Sequence, residues 1–400
     1  MGVALPDAGR SGIEHVVIVT LENRSFDHFL GWLPGADGQQ QGLVFTDRDG
    51  NPHATYPLAP DYQGCGHPNP DHSYSGGRQA YHGGACDGWL QAGANDTYAI
   101  GYYTRDDLAF LGQAAGAWTV CDRYFAAIMA ETFPNRLYLH AGQTDRLGDS
   151  VGLCSLPTIW DLLAAHHVSA AYYFSDLPVL GLWGLKYASI CRPRALFFAD
   201  CALGRLPAVS YLDPGFLGES AGLSYDDHPP ADIRNGEAFL GRVYHALTTS
   251  PSWSSTLLVI TFDEWGGFFD HVPPTAGPIP DADRQAGNAD GLRGFRVPCL
   301  LISPFARRGV VSSTLFDHTS ILRLIEWRWG LPSLTVRDAA ATNLAEALDF
   351  EHHDLSVPAI SPPLGPFGGP CPPAATAPSQ PWPALHAFLQ DVAAPLLAHL

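Results

Sequence analysis

An α/β fold is what this sequence predicts, and two stretches carry the prediction. Thr256 to Phe262 reads T-L-L-V-I-T-F, and His15 to Leu21 reads H-V-V-I-V-T-L. Each is a run of β-branched and large apolar residues, the pattern of a strand buried on both faces in a parallel sheet. A third observation is how the runs end. Asp263 and Glu264 follow one, Glu22 and Asn23 the other, so two core strands run out onto polar pairs at the edge where α/β sheets keep their chemistry. Either pair taken alone could equally be a polar turn that only solvates a strand end. Gly266 and Gly267 follow the second pair and let backbone or ligand come close, with Asp270 and His271 beyond them.

Composition bounds the class. The chain has 400 residues, 46% apolar and 11% aromatic, enough for a large core in a globular protein. No segment has the length and apolarity needed to span a bilayer. Lys and Arg number 22 against 40 Asp and Glu, a net charge of −18, and Lys186 is the single lysine. A surface this acidic repels nucleic acid and anionic lipid, so a membrane substrate would be met only in transient contact, through zwitterionic or apolar groups. Of the eight cysteines, Cys65 and Cys86 flank a Gly-rich loop and Cys191 and Cys201 bracket a short Pro-Arg segment. Two local disulfides are expected there, which would place the protein in a secreted or periplasmic setting, with free thiols and a cytoplasmic home as the alternative. Cys121 and Cys299 lie in apolar runs and read as buried thiols.

In chain order, residues 1–12 are a loose lead-in. Asp27 and His28 sit on the first turn of a helix ending near Gly31. From Trp32 to about Asn95 the chain is loop-like, and a connection that long is functional or disordered. Its aromatics and cysteines argue against disorder, and its N-P-D-H-S-Y stretch presents His72 after a turn-forming Pro-Asp. Gly101 to Ala117 turns helical after Thr104, and a short strand, W-T-V-C-D, follows. M-A-E-T-F-P-N-R-L-Y-L-H-A-G then makes a helix with Pro134 at its first position and Gly142 ending it. Thr132 therefore falls just before a helix N-terminus, where it could be a cap or could present its hydroxyl beside N–H groups that favour anions. Further on, Pro157 to His167 reads as a helix, Ala170 to Phe174 and Leu206 to Leu212 as strands, and Asp226 to Pro230 as a rigid loop before a helix from Asp232 to Thr248. Val297 to Ile302 is a further buried strand, and Asp317 to Trp329 a helix with His318 near its positive end. Residues 355–383 are Pro-rich, and Leu385 to Leu400 is a last helix that docks on the core. One catalytic domain over 13–354 is expected, with 355–400 packed on it.

Six motifs in order, E-N-R-S-F-D-H-F-L-G, G-Y-Y-T-R-D-D-L, T-F-P-N-R-L-Y-L, Y-D-D-H-P-P, F-D-E-W-G-G-F-F-D-H-V-P-P and D-H-T-S-I-L-R, span Glu22 to Arg323. Together they resemble the phosphoesterase family that holds bacterial and plant non-specific phospholipases C and related acid phosphatases. The resemblance implies an alkaline-phosphatase-like α/β fold with a mainly parallel central sheet, helices on both faces and long active-site loops. It also implies metal-dependent hydrolysis of phosphate esters. By position, Glu22, Asn23, Asp263 and Glu264 resemble the family's metal ligands. Thr132 matches the nucleophile position, where the acid phosphatase branch carries Ser. His72, His228 and His318 resemble histidines that contact the phosphoryl group, and Asn135 of the Thr132 motif joins this catalytic set. Trp265 departs from a frequent His, and Asp227 from a frequent Glu.

The chemistry is consistent with those roles. Three carboxylates and an amide oxygen suit one hard divalent cation, Ca²⁺, Mg²⁺ or Mn²⁺. A threonine hydroxyl needs a metal or base to become a nucleophile. A choline head group would be held on aromatic faces; Tyr74, Tyr102, Trp265 and Phe269 are candidates, with His271 beside them, and Trp89, Tyr103 and Phe268 are others. The leading expectation is a phospholipase C releasing phosphocholine through a phospho-threonine. The alternatives are a broad-range acid phosphatase and a phosphocholine-binding protein without turnover.

Overall fold

The computed structural model describes residues 5–372 and 381–397. Residues 1–4 of the lead-in, 373–380 of the Pro-rich segment and the last three of the terminal helix lie outside the described residues. The core of the molecule is an eight-stranded sheet. In chain order its strands are β1 (His15–Leu21), β2 (Thr119–Cys121), β3 (Ala170–Phe174), β4 (Cys191–Pro193), β5 (Val209–Leu212), β6 (Thr256–Phe262), β7 (Cys299–Ile302) and β8 (Val310–Ser312). They lie in the order β8-β2-β7-β6-β1-β5-β3-β4. All neighbours are parallel except β7, which runs antiparallel to both β6 and β2. The exception has a simple cause: the chain between β6 and β7 turns back at the end where β6 finishes, and an antiparallel return needs no crossover.

The two apolar runs are the central pair. In β1 six of seven residues are buried and in β6 all seven, as strands covered on both faces require. Their register pairs Leu21 with Phe262, and the Asp263 N–H continues the ladder to the Leu21 carbonyl at 3.0 Å. Glu22 and Asp263 therefore emerge side by side at the C-terminal edge of the sheet. One contiguous apolar core runs from Ile13 to Leu385.

Several expected elements shift. The helix at Thr132 is Thr132–Ala141 with Glu131 as its N-cap, so Thr132 is its first residue and Pro134 its third. The expected long loop contains the helix Tyr74–Tyr81, capped by Ser73, whose Oγ accepts from the Gly76 N–H. Two glycines hid it from propensity. At Gly77 a Cβ would stand 2.7 Å from Met129 Cγ, so packing, not helix preference, sets that residue. Strands β5 and β7 begin later than expected, at Val209 and Cys299. The final helix is Pro381–Leu397, and Trp382 anchors it, fully buried and stacked on Phe216 at 3.9 Å.

Neither expected disulfide forms. Cys65 pairs with Cys371, 306 residues away, pinning the Pro-rich segment to the long loop. Cys86, Cys191 and Cys201 are free, and burial pushes each of these thiols up to about 12. Short spacing favoured the local pairs, but which segments meet is decided by tertiary packing. Alkylation under denaturing, non-reducing conditions should therefore label six thiols, the free set, and mass spectrometry should recover a Cys65–Cys371 cross-linked peptide. Among the described residues no helix is long and apolar enough to cross a membrane.

Glu237, in the helix Ile233–Thr248, is fully buried; its Oε2 accepts from the N–H groups of Phe110 and Leu111, and its Oε1 has no partner. Burial pushes its carboxyl up to about 7. An acid raised in the fold contributes stability in full below its unfolded pKa and loses it as pH rises through about 7. Glu237→Gln keeps an acceptor for both N–H groups and removes the buried charge. It should be more stable than the parent at pH 8, by roughly 1–3 kcal/mol, and lose that advantage at pH 5, as denaturant titrations at the two pH values would show.

Candidate active site

The site stands at the C-terminal ends of the neighbouring strands β6, β1 and β5. Each ends on an acid: Asp263, Glu22 and Asp213. One buried guanidinium joins them. Arg136 Nε donates to Asp263 Oδ2 at 3.0 Å, Nη2 to Glu22 Oε1 at 3.0 Å and Nη1 to Asp213 Oδ1 at 3.1 Å. Its remaining bonds reach the carbonyls of Thr20 and Leu21. Burial works against this cation, but Asp263, Asp213 and Glu22 outweigh it and raise its pKa. Asp213 is pushed up to about 7 by burial, against the pull of Arg136.

The four residues that resemble metal ligands are fully buried and adjacent. Asp263 Oδ1 accepts the backbone N–H groups of Asn23 at 3.3 Å and Glu264 at 2.8 Å. Asn23 takes a left-handed backbone, φ 61°, which a non-glycine residue adopts rarely. Gly266 fits beneath it because a Cβ there would lie 2.1 Å from the Asn23 carbonyl oxygen. Glu264 Oε2 accepts from the Gly266 N–H at 2.7 Å. Three buried atoms are left with no hydrogen-bond partner: Asn23 Oδ1, Asn23 Nδ2 and Glu264 Oε1. Orphaned oxygens of this kind point to a missing ligand, and an all-oxygen donor set fits a hard divalent cation. Burial and then the neighbouring Asp263 raise the carboxyls of both Glu22 and Glu264 well above the usual range.

A cleft of about 370 Å³, lined by Thr132, His72, His228, Asn69, Asp71, Glu131, Asp149 and others, meets this group through His72. His72 Nδ1 is 2.8 Å from the Pro70 carbonyl, so that nitrogen carries the proton and Nε2 is the free one, 3.9 Å from Glu264 Oε1. His228 Nε2 lies 3.5 Å from Asn69 Nδ2. Burial, then His72 and Arg24, lower His228 to about 3. The Thr132 hydroxyl is not the helix cap. The Phe133 N–H donates instead to Asp149 Oδ1 at 2.7 Å, and the Asp149 N–H to Glu131 Oε2 at 2.7 Å. Burial and then Glu131 raise the Asp149 carboxyl well above its usual range.

Other expected site residues lie elsewhere. His318 is buried behind Asp263, with Nε2 donating to the Asp263 carbonyl at 2.6 Å and Nδ1 3.1 Å from Tyr124 Oη. Asn135 spends its amide on the backbone of Ile128, Ala130 and Glu131. Both hold the site's frame without facing the cleft. Tyr102, Trp265 and Phe269 are closed inside a separate apolar cluster with Trp89, Met129 and Phe295, so none of these three turns a free face to a ligand. Tyr74 lies under Arg78, 3.3 Å from the guanidinium carbon to the ring centroid. His271 pairs with Asp27 at 2.5 Å, and Arg296 neutralises Asp27 and Asp270 beside it. None of these aromatics, nor His271, lines the cleft.

Sequence reasoning passed over Arg136, Asp213, Glu131, Asp149 and Trp382. Arg136 had a signal, one helical turn beyond Thr132, and Asp213 had the same strand-end signal as Asp263. Trp382, whose Nε1 donates to Glu22 Oε2 at 3.3 Å, had none.

Residues 13–332 match the Phosphoesterase family. The chain is 33% identical to phospholipase C B of Mycobacterium tuberculosis, over 84% of this chain and 78% of that protein. It is 31% identical to non-specific phospholipase C6 of Arabidopsis thaliana, over 85% of this chain and 72% of that one. It is also 31% identical to non-hemolytic phospholipase C of Pseudomonas aeruginosa, over 87% and 59%.

Proposed function

The chain belongs to the phosphoesterase family and is a hydrolase of phosphate esters, and on that premise we propose that it is a phospholipase C that transfers the phosphoryl head group to Thr132 and then to water. One observation carries the reading: Thr132 is the first residue of its helix, past the Glu131 cap position, and lines the cleft with His72 and His228, where His72 Nε2 stands 3.9 Å from the buried Glu264 Oε1. The Thr132 oxygen attacks phosphorus, and the diacylglycerol oxygen leaves. His72 Nε2, the free nitrogen of its ring, takes the Thr132 hydroxyl proton and gives it to the diacylglycerol oxygen; in the second step it takes a proton from the attacking water and returns it to the departing Thr132 oxygen. Asn69 and His228 stand where they can orient the phosphoryl oxygens.

Asn23, Asp263 and Glu264, with Glu22 behind them, would hold a hard divalent cation. Bound there, it supplies Lewis-acid charge for the phosphoryl oxygens and the threonine oxygen. Arg136 keeps the buried acids in place and offsets part of their charge.

Among the described residues no Phe, Tyr or Trp lines the cleft, whereas Asp71, Glu131 and Asp149 do. A cationic head group would therefore be held by carboxylate charge, which is strong in a partly desolvated cleft. The disulfide supports a secreted or periplasmic setting. Rates on p-nitrophenyl phosphorylcholine and p-nitrophenyl phosphate test the substrate class. The diester should be turned over at least roughly tenfold faster in kcat/KM, a difference of about 1.4 kcal/mol in transition-state binding. A preference for the monoester would make the enzyme a phosphatase.

A further inference from the structure

A second group of acids lies beside the first and shares Glu22 with it, while its other members, Glu219 and Asp226, take no part in the mechanism above. Glu22, Glu219 and Asp226 each bring a carboxylate oxygen within 4.8 Å of the other two. None is more than 1% exposed. Both Glu219 oxygens and Asp226 Oδ2 have no hydrogen-bond partner. The other Asp226 oxygen is fully used, accepting from Ser224 Oγ at 2.8 Å and the His228 N–H at 3.0 Å. The nearest imidazole nitrogen, His228 Nδ1, stands 3.8 Å from Glu219 Oε2, beyond hydrogen-bond reach. Arg136 is shared among Glu22, Asp213 and Asp263 and does not reach Glu219.

Three carboxylates packed together in a protein interior need protons or a cation, because their charge is otherwise uncompensated where water cannot screen it. Oxygens bound to one calcium-sized ion at about 2.3–2.6 Å lie within about 5 Å of one another, which is the spacing found here. We propose that Glu22, Glu219 and Asp226 form a second site for a hard divalent cation, distinct from Asn23, Asp263 and Glu264 and sharing Glu22 with them. The ion would be structural. The Glu22 N–H already donates to the Asp226 carbonyl at 2.8 Å, so a cation there ties the loop that carries His228 to the end of β1. The assignment does not depend on the substrate or nucleophile proposed above.

Ion counting decides it. The parent, Glu219→Gln and Glu264→Gln are stripped with chelator, equilibrated with Ca²⁺, Mg²⁺ or Mn²⁺ alone, desalted and measured by plasma mass spectrometry. With at least one of these ions, Glu219→Gln should hold one ion per chain fewer than the parent, and Glu264→Gln should keep the ion that Glu219→Gln lacks. That ion should raise the Tm of Glu264→Gln, and its addition should raise the Tm of Glu219→Gln by less than that of the parent. Equal counts in the parent and Glu219→Gln for all three ions would overturn the site and leave the three acids sharing protons. If Glu219→Gln does not fold, Glu264→Gln decides alone: an ion retained supports the site and an ion-free protein overturns it. If Glu264→Gln matches the parent while Glu219→Gln loses an ion, the new site stands and the assignment of Asn23, Asp263 and Glu264 falls.

Discussion

Thr132→Val should lose roughly 10⁴-fold or more in kcat while folding normally, because the substitution removes the attacking oxygen and nothing else of comparable weight. Stability should change by no more than about 1 kcal/mol, the size of a cap effect, since the cap position is Glu131 and the Phe133 N–H is held by Asp149, not by the threonine hydroxyl. Thr132→Ser restores the same oxygen one methyl smaller and should retain measurable turnover. Metal content, read on the same samples, should be equal in all three proteins. A Thr132→Val enzyme within tenfold of the parent would remove Thr132 from the mechanism.

Arg136→Met should have the largest effect on stability. It leaves Glu22, Asp213 and Asp263 buried without the cation that all three share. Breaking a buried ion pair by deleting one partner costs roughly 3–5 kcal/mol. The sign of the pH dependence follows from the acids left behind. Asp213 already sits up at about 7 with Arg136 present, and without the guanidinium its pKa rises further. The variant's loss should therefore be greatest at pH 8 and shrink towards pH 5, as protons replace the missing cation. Denaturant midpoints at both pH values measure it. A loss that does not change between them would mean that the guanidinium acts through packing and not charge.

Much of the architecture could be read from the chain, because two features are local. The β-branched runs at β1 and β6 have no stable place except the centre of a covered sheet, and the acids that follow them inherit the register of that pair. That is how Glu22 and Asp263 come to stand together. The cleft histidines were legible for a different reason: each sits on a short rigid loop, His72 after Pro70 and Asp71, His228 before Pro229 and Pro230. What could not be read depends on contacts distant in sequence. Cys65 meets Cys371 across 306 residues, a pairing that no local spacing encodes. Trp265 and Phe269 looked like ligand faces because they flank the acids, but they turn the other way, into an apolar cluster with Trp89 and Phe295. The composition of the stretch was right for a head-group cage, and its direction was not. Asp149 was invisible for a related reason: it is seventeen positions beyond Thr132 in sequence, yet it accepts the Phe133 N–H at the start of that helix.

The account rests most heavily on the covalent step, and rapid quench tests that step directly. The enzyme is mixed with excess p-nitrophenyl phosphorylcholine, stopped in acid within the first turnover and digested, and the peptide carrying Thr132 is weighed. The predicted result is a phosphorylcholine adduct on Thr132, forming as fast as the first equivalent of p-nitrophenol is released and absent from Thr132→Val. Full release of that first equivalent, with the Thr132 peptide unmodified at every quench time and the rate preserved in Thr132→Val, would contradict it.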